Sequence, residues 1–98
     1  MLKPIRWSSR ADDDFAGILE YLNNHWSVSV ASDFILKVDK CILLIQESTE
    51  QFPIFNKDFQ IRKCVVTKHN TLYYRDTENR IEILRLYDTR QNPETLQF

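Results

Sequence analysis

Apolar residues recur at helical spacing twice in the first half of the chain and at strand spacing three times in the second half. Ala11, Phe15, Ile18, Leu22 and Trp26 stand three or four apart, which puts them on one face of an amphipathic helix over roughly residues 9–24. Ser8 or Ser9 can cap its start, and Asp12, Asp13 and Asp14 fall where carboxylates complement the helix dipole. Gly17, the only glycine, lies inside this helix at a cost of about 1 kcal/mol relative to Ala. Close packing of a second helix would account for it. Asn23-Asn24-His25 breaks the pattern, and Ser27 or Ser29 can cap a second helix. Ala31, Phe34, Ile35, Val38, Cys41, Ile42 and Ile45 form its apolar stripe, to about Glu47. Two amphipathic helices joined by a short polar turn make an αα-hairpin.

Ser48 to Asp58 holds Pro53 and has no clear period, which predicts a loop. Three β-rich runs follow, Phe59–Val66, Thr71–Arg75 and Ile81–Tyr87, separated by the short polar turns Lys68-His69-Asn70 and Thr77-Glu78-Asn79. With a short strand at Ile5-Arg6-Trp7, the order is β-α-α-β-β-β. This is an α+β domain spanning residues 1–98, with the helix pair packed on one face of an antiparallel meander. In the last run, simple alternation puts Ile81, Ile83, Arg85 and Tyr87 on one face and Glu82, Leu84 and Leu86 on the other. Both faces then carry large apolar residues. A partner surface, a β-bulge that switches faces, or coverage by the tail Pro93–Phe98 would each resolve this.

Composition narrows the class. The 98 residues are 43% hydrophobic and 28% charged, as in an ordinary globular protein rather than a disordered one. No apolar run approaches the roughly 18 residues that span a bilayer, and the N-terminus lacks a signal-peptide core, so a cytoplasmic protein is expected. Cys41 and Cys64 read as reduced, buried thiols. With His25 and His69 distant in sequence they do not make a metal site, and no cofactor is implied.

Charge is unevenly spread. Residues 1–50 carry five Lys/Arg against eight Asp/Glu, and residues 51–98 carry eight against six, within a net charge of -1. From Phe59 to Arg75 there are four cations and no acid. This local excess suggests an anionic partner, through Arg62, Lys63, Lys68, Arg85, Tyr87 and Arg90. Each has a structural alternative. Arg62 and Lys63 can discourage edge pairing, and Arg85 can pair with Glu82 or with an acid on a helix. Tyr74 fits hairpin packing, His69 a solvated turn, and Trp7 and Trp26 the core. One glycine cannot build a Gly-rich phosphate cradle.

The serial order of these features resembles the RelE/ParE-type toxins of bacterial type II toxin–antitoxin pairs. Trp7-Ser8-Ser9-Arg10-Ala11-Asp12-Asp13-Asp14-Phe15, with Ile18 and Tyr21-Leu22, resembles the family's opening. Ala31 and Phe34 resemble the start of its second helix, and Pro53 falls in its post-helix loop. Arg62, Val65-Val66-Thr67-Lys68-His69 and Leu72-Tyr73-Tyr74-Arg75 resemble its central hairpin, and Arg85-Leu86-Tyr87-Asp88-Thr89-Arg90-Gln91-Asn92-Pro93 its last strand and tail. The resemblance implies a growth-inhibiting toxin of the plasmid-stabilisation kind, held inactive by a cognate antitoxin that lays helices and an extended segment over it.

Two mechanisms occur among such toxins. RelE-like members cleave mRNA on the ribosome, and ParE-like members are described as poisoning DNA gyrase. Cleavage needs a base for the 2′-OH, an acid for the leaving oxygen and cations around the phosphate. Arg62 and Arg90 fall on two of the basic positions of a RelE-like site. Cys64 and Val66 stand where further cations would be, Tyr87-Asp88 stand where related nucleases carry His, and Glu94–Phe98 contain no Tyr. Neither arginine is a general base at its ordinary pKa. The partial set and the net charge favour the ParE-like reading, with a ribosome-dependent endoribonuclease as the alternative.

Overall fold

The structure, a computed structural model, describes residues 2–90 and 96–98. Strand β1 (Ile5–Trp7) leads into α1 (Ser9–His25) and α2 (Val28–Glu47). A single 3-10 turn (Thr49–Gln51), β2 (Ile54–Asn56), β3 (Ile61–Thr67), β4 (Asn70–Asp76) and β5 (Ile81–Asp88) follow. The strands form one sheet in the order β1-β5-β4-β3-β2. The α+β class and the hairpin-plus-meander architecture are those read from the sequence.

Both helices start where a serine can cap them. Ser8 Oγ accepts from the Ala11 N–H at 3.0 Å, and Ser27 Oγ from the Val30 N–H at 3.1 Å. Ser8 also ties α1 to the sheet, because its N–H donates to Ile83 O (2.9 Å) and its hydroxyl to Leu84 O (2.8 Å). β1 runs parallel to β5, with Ile5 opposite Ile81 and Trp7 opposite Ile83. The long helical connection makes this parallel pairing possible.

The stretch 48–58 is not a plain loop. It contains the 3-10 turn and β2, which pairs with β3 as an edge strand. Three residues without alternation leave no periodic signal for a strand. β3 begins at Ile61 rather than Phe59, because Gln60 adopts φ 55° in the preceding turn and Phe59 is exposed there. With its one glycine elsewhere, the chain uses Gln for a left-handed position.

The question of two apolar faces resolves through a bulge together with the tail. Tyr73 pairs with Arg85 and Tyr74 with Ile83, so β5 has one extra residue, Leu84, at that point. Strict alternation fails beyond it. Ile81, Ile83 and Leu86 face the helices with Cys64, Leu72, Tyr74, Ala11, Phe34, Val38, Cys41 and Ile45. Leu84 and Tyr87 lie in a second cluster with Ile61, Tyr73, Phe55 and Leu96. Of the tail Pro93–Phe98, residues 93–95 lie outside the described residues. Leu96 packs on the second cluster, and Phe98 meets the Phe55 and Tyr73 rings edge-on at 6.1 and 5.6 Å.

Trp7 is half-buried and stacks on Phe15 at 5.2 Å. Trp26 corrects its assignment to the core: it is the C-cap of α1 and remains 68% exposed. The α1 stripe therefore ends at Leu22, where the core ends. No described helix is long and apolar enough to cross a membrane.

Candidate interaction groove

The helix pair and one end of the sheet enclose a groove of about 960 Å³. Ile18, Tyr21, Leu22 and Trp26 contribute from α1, and Val30 and Phe34 from α2. Thr67, His69 and Asn70 contribute from the β3–β4 turn, and Arg85 to Asp88 and Arg90 from β5 and its end. The spacing that makes α1 amphipathic aims Ile18 and Leu22 into this space. The two-residue turn at Lys68–His69 brings the strand ends up to it. Tyr21 (49% exposed) and Trp26 leave a large aromatic area at its mouth.

Two bidentate ion pairs set the electrostatics. Asp14 of α1 holds Arg85: its Oδ2 accepts from Nε at 2.7 Å and its Oδ1 from Nη2 at 3.0 Å. Asp14 Oδ2 also accepts the Leu86 N–H at 3.0 Å, so a helix carboxylate closes the β5 edge beyond the end of β1. Arg85 Nη1 donates to Gln97 O at 2.6 Å, and the guanidinium lies 5.4 Å from the Tyr87 ring. The hydrogen bond with Asp14 pushes the Arg85 pKa further up. Asp88 pairs with Arg90, at 3.0 Å to Nε and 2.7 Å to Nη2, and this hydrogen bond holds the Asp88 carboxyl below its ordinary pKa. Each pair cancels its own charge, so the groove offers phosphate no net positive field.

The residues read from the sequence as cationic binders are spread over the molecule. Arg85, Tyr87 and Arg90 line the groove, and Lys68 is exposed in the turn beside it. Lys63 stands opposite Tyr73, on the side of the sheet away from the helices. Arg62 is at the other end of β3. Its Nη1 donates to Phe52 O at 2.7 Å and Glu50 O at 3.3 Å, pinning the chain before β2. Beside it, the buried Tyr74 hydroxyl donates to Thr49 O at 2.6 Å, and burial raises the Tyr74 pKa. Asp76 accepts from Lys3 Nζ and Thr49 Oγ1, both at 2.7 Å. Arg62 and Arg90 are not brought together. Arg90 follows Asp88, which pairs with Asn70, and Asn70 pairs with Thr67 at the far end of β3. Five residues of strand separate Arg62 from that row, or about 16 Å.

Sequence reasoning missed Asp14 and Trp26. The run Asp12-Asp13-Asp14 reads as three dipole partners, yet only Asp12 of the three occupies the first turn. Its spacing from Ala11 and Ile18 already put it beside the buried stripe, which was the available signal. Arg85 pairs with this helix acid, while Glu82 is held by Arg75 (2.9 Å) and Arg80 (2.8 Å). Cys41 and Cys64 are free and buried, as expected.

The arrangement is a groove with an aromatic mouth, two internally paired arginines, and Asp13, Asp33 and Lys37 in its lining. Comparison with solved structures supports the same fold. The chain is similar to the chromosomal ParDE TA system from P. aeruginosa at 15% identity and TM-score 0.74, over 89% of this chain and 96% of that one. It is similar to a YoeB/ParE toxin from Agrobacterium tumefaciens at 13% identity and TM-score 0.63, over 87% and 96%. The E. coli DinJ-YafQ toxin-antitoxin complex matches at 14% identity and TM-score 0.61, over 92% and 96%. No curated protein sequence matches. The family model described as the ParE toxin of type II toxin-antitoxin system, parDE, matches residues 5–93, nearly the whole chain, and the chain therefore belongs to the ParE toxin family.

Proposed function

We propose that this toxin arrests growth by binding DNA gyrase and is neutralised by a cognate antitoxin seated over the groove and the adjoining sheet. The observation that carries the gyrase reading is the separation of Arg62 from Arg90. A phosphate-cleaving site needs cations converging on one phosphorus. Here one guanidinium anchors backbone carbonyls at one end of β3 while the other pairs with Asp88 at the opposite end. A target protein is better suited than a nucleic acid to an aromatic mouth beside paired charges. Lys63, Lys68, Arg85, Tyr87 and Arg90 are then contact or supporting residues rather than catalysts. The single domain, residues 1–98, acts in the cytoplasm without a cofactor.

The alternative is a ribosome-dependent endoribonuclease. It draws on His69, Asn70 and Arg90 lining one groove. The two readings separate in cells. Induction of this chain alone is expected to stop growth and relax plasmid supercoiling, and co-expression of the neighbouring open reading frame to restore both. Arrest with normal supercoiling and fresh breaks inside translated codons would support the nuclease instead.

A further inference from the structure

Cys41 and Cys64 are the only cysteines of the chain, and the groove uses neither. They come from different elements. Cys41 lies on the buried stripe of α2 with Val38 and Ile45, and Cys64 lies in β3 opposite Leu72. Both belong to the main core cluster, at 7% and 2% exposure. The Cys41 S–H donates to the carbonyl oxygen of Val65, the residue after Cys64, at 3.6 Å. The Cys64 S–H donates in turn to the Cys41 sulfur. A single buried thiol is an ordinary small core residue. Two that meet across a helix–strand junction are one oxidation away from a covalent bond. Their shared hydrogen bond also divides the roles. It lowers the Cys41 pKa against the opposing effect of burial, and it leaves Cys64 as the proton donor, with its own pKa raised.

We propose that Cys41 and Cys64 form a reversible disulfide on meeting a low-molecular-weight disulfide, and that this bond locks α2 to β3. Cys41 loses its proton and its thiolate attacks glutathione disulfide during an opening of the core. A mixed disulfide forms, and one glutathione leaves as a thiolate and takes up a proton. Cys64 then loses its proton and attacks the Cys41 sulfur, and the second glutathione leaves in the same way. Two protein thiols are oxidised and one glutathione disulfide is reduced to two glutathiones. The bond closes a loop that contains the end of α2, the 3-10 turn and β2. It therefore restrains the edge strand, which pairs on one side only, and fixes the α2 wall of the groove against β3.

The test equilibrates the full chain with glutathione and glutathione disulfide for many hours, once in native buffer and once in urea. After acid quenching, mass spectrometry separates the reduced, mixed-disulfide and intramolecular-disulfide forms. Their ratios give the effective concentration of one thiol toward the other. It is expected to be at least about tenfold higher in the folded chain than in urea. By linkage, the oxidised chain should melt higher by roughly 5 °C or more. Amide exchange over residues 49–56 should slow, and reduction should reverse both changes. An effective concentration in native buffer equal to or below that in urea overturns the proposal. So does oxidation that yields only mixed disulfides or disulfide-linked chain dimers.

Discussion

Replacing Asp14 with Ala should be among the most damaging substitutions outside the apolar core. Asp14 accepts three hydrogen bonds, two from Arg85 and one from the Leu86 N–H, and joins α1 to β5 just past the bulge. Both side chains of the pair are largely covered, at 16% exposure for Arg85 and 19% for Asp14. Deleting the carboxylate strands a mostly buried guanidinium and removes the partner of a strand-edge N–H. A fully buried pair broken this way costs 3–5 kcal/mol, and residual solvent access reduces that, so a loss of about 2–3 kcal/mol is expected. For a domain of this size that corresponds to a fall of roughly 10–20 °C in Tm. Urea unfolding followed by circular dichroism measures it. The double variant Asp14→Ala/Arg85→Ala should recover at least about 1 kcal/mol relative to the sum of the singles, because the stranded charge is gone. A cost below about 0.5 kcal/mol for Asp14→Ala, or strict additivity, would refute the assignment of this pair as the α1–β5 tie.

Tyr74→Phe removes the hydroxyl that donates to Thr49 O and is expected to cost about 1–2 kcal/mol in a urea melt with the fold intact. Burial alone raises the Asp76 pKa, but the hydrogen bonds from Lys3 and Thr49 outweigh it and leave the carboxyl below its ordinary value. That contribution is present above the unfolded carboxylate pKa and is lost as pH falls through the folded one. Asp76→Asn should therefore be less stable than wild type at pH 7, by about 1 kcal/mol at most, and nearly equal to it near pH 2. Arg62→Ala is expected to loosen the chain before β2, read as faster amide hydrogen exchange over residues 49–56, while Arg90→Ala leaves that region unchanged. The hydrogen bond between the two thiols, and then burial, pushes the Cys64 thiol up, while the same hydrogen bond lowers that of Cys41; both are buried, and since a reagent must reach the sulfur, neither should react in minutes without denaturant.

The elements were legible because each helix carries an unbroken apolar stripe and a serine cap, and each long strand is rich in β-branched and aromatic residues. The hidden elements are those without period. β2 has three residues and takes its stability from β3, and the bulge at Leu84 shifts a pattern that local alternation extrapolates straight through. The functional surface was less legible. Charge counting places Arg62, Lys63, Arg85 and Arg90 in one cationic third of the chain, but strand geometry sends them to opposite ends and faces of the sheet. Asp14 and Arg85, 71 residues apart, meet only through the parallel β1–β5 pairing, which no local pattern encodes. Trp26 has the same spacing as core residues and differs only in lying past the end of the hairpin's covered face.

Binding a protein target and cutting RNA leave different products in two purified systems. The purified chain is added to DNA gyrase and relaxed plasmid, and in parallel to a reconstituted translation reaction. Concentration-dependent loss of supercoiling, with intact mRNA in the translation reaction, is the result expected of the gyrase-binding toxin proposed above. Undiminished supercoiling together with mRNA cut within translated codons would contradict that proposal.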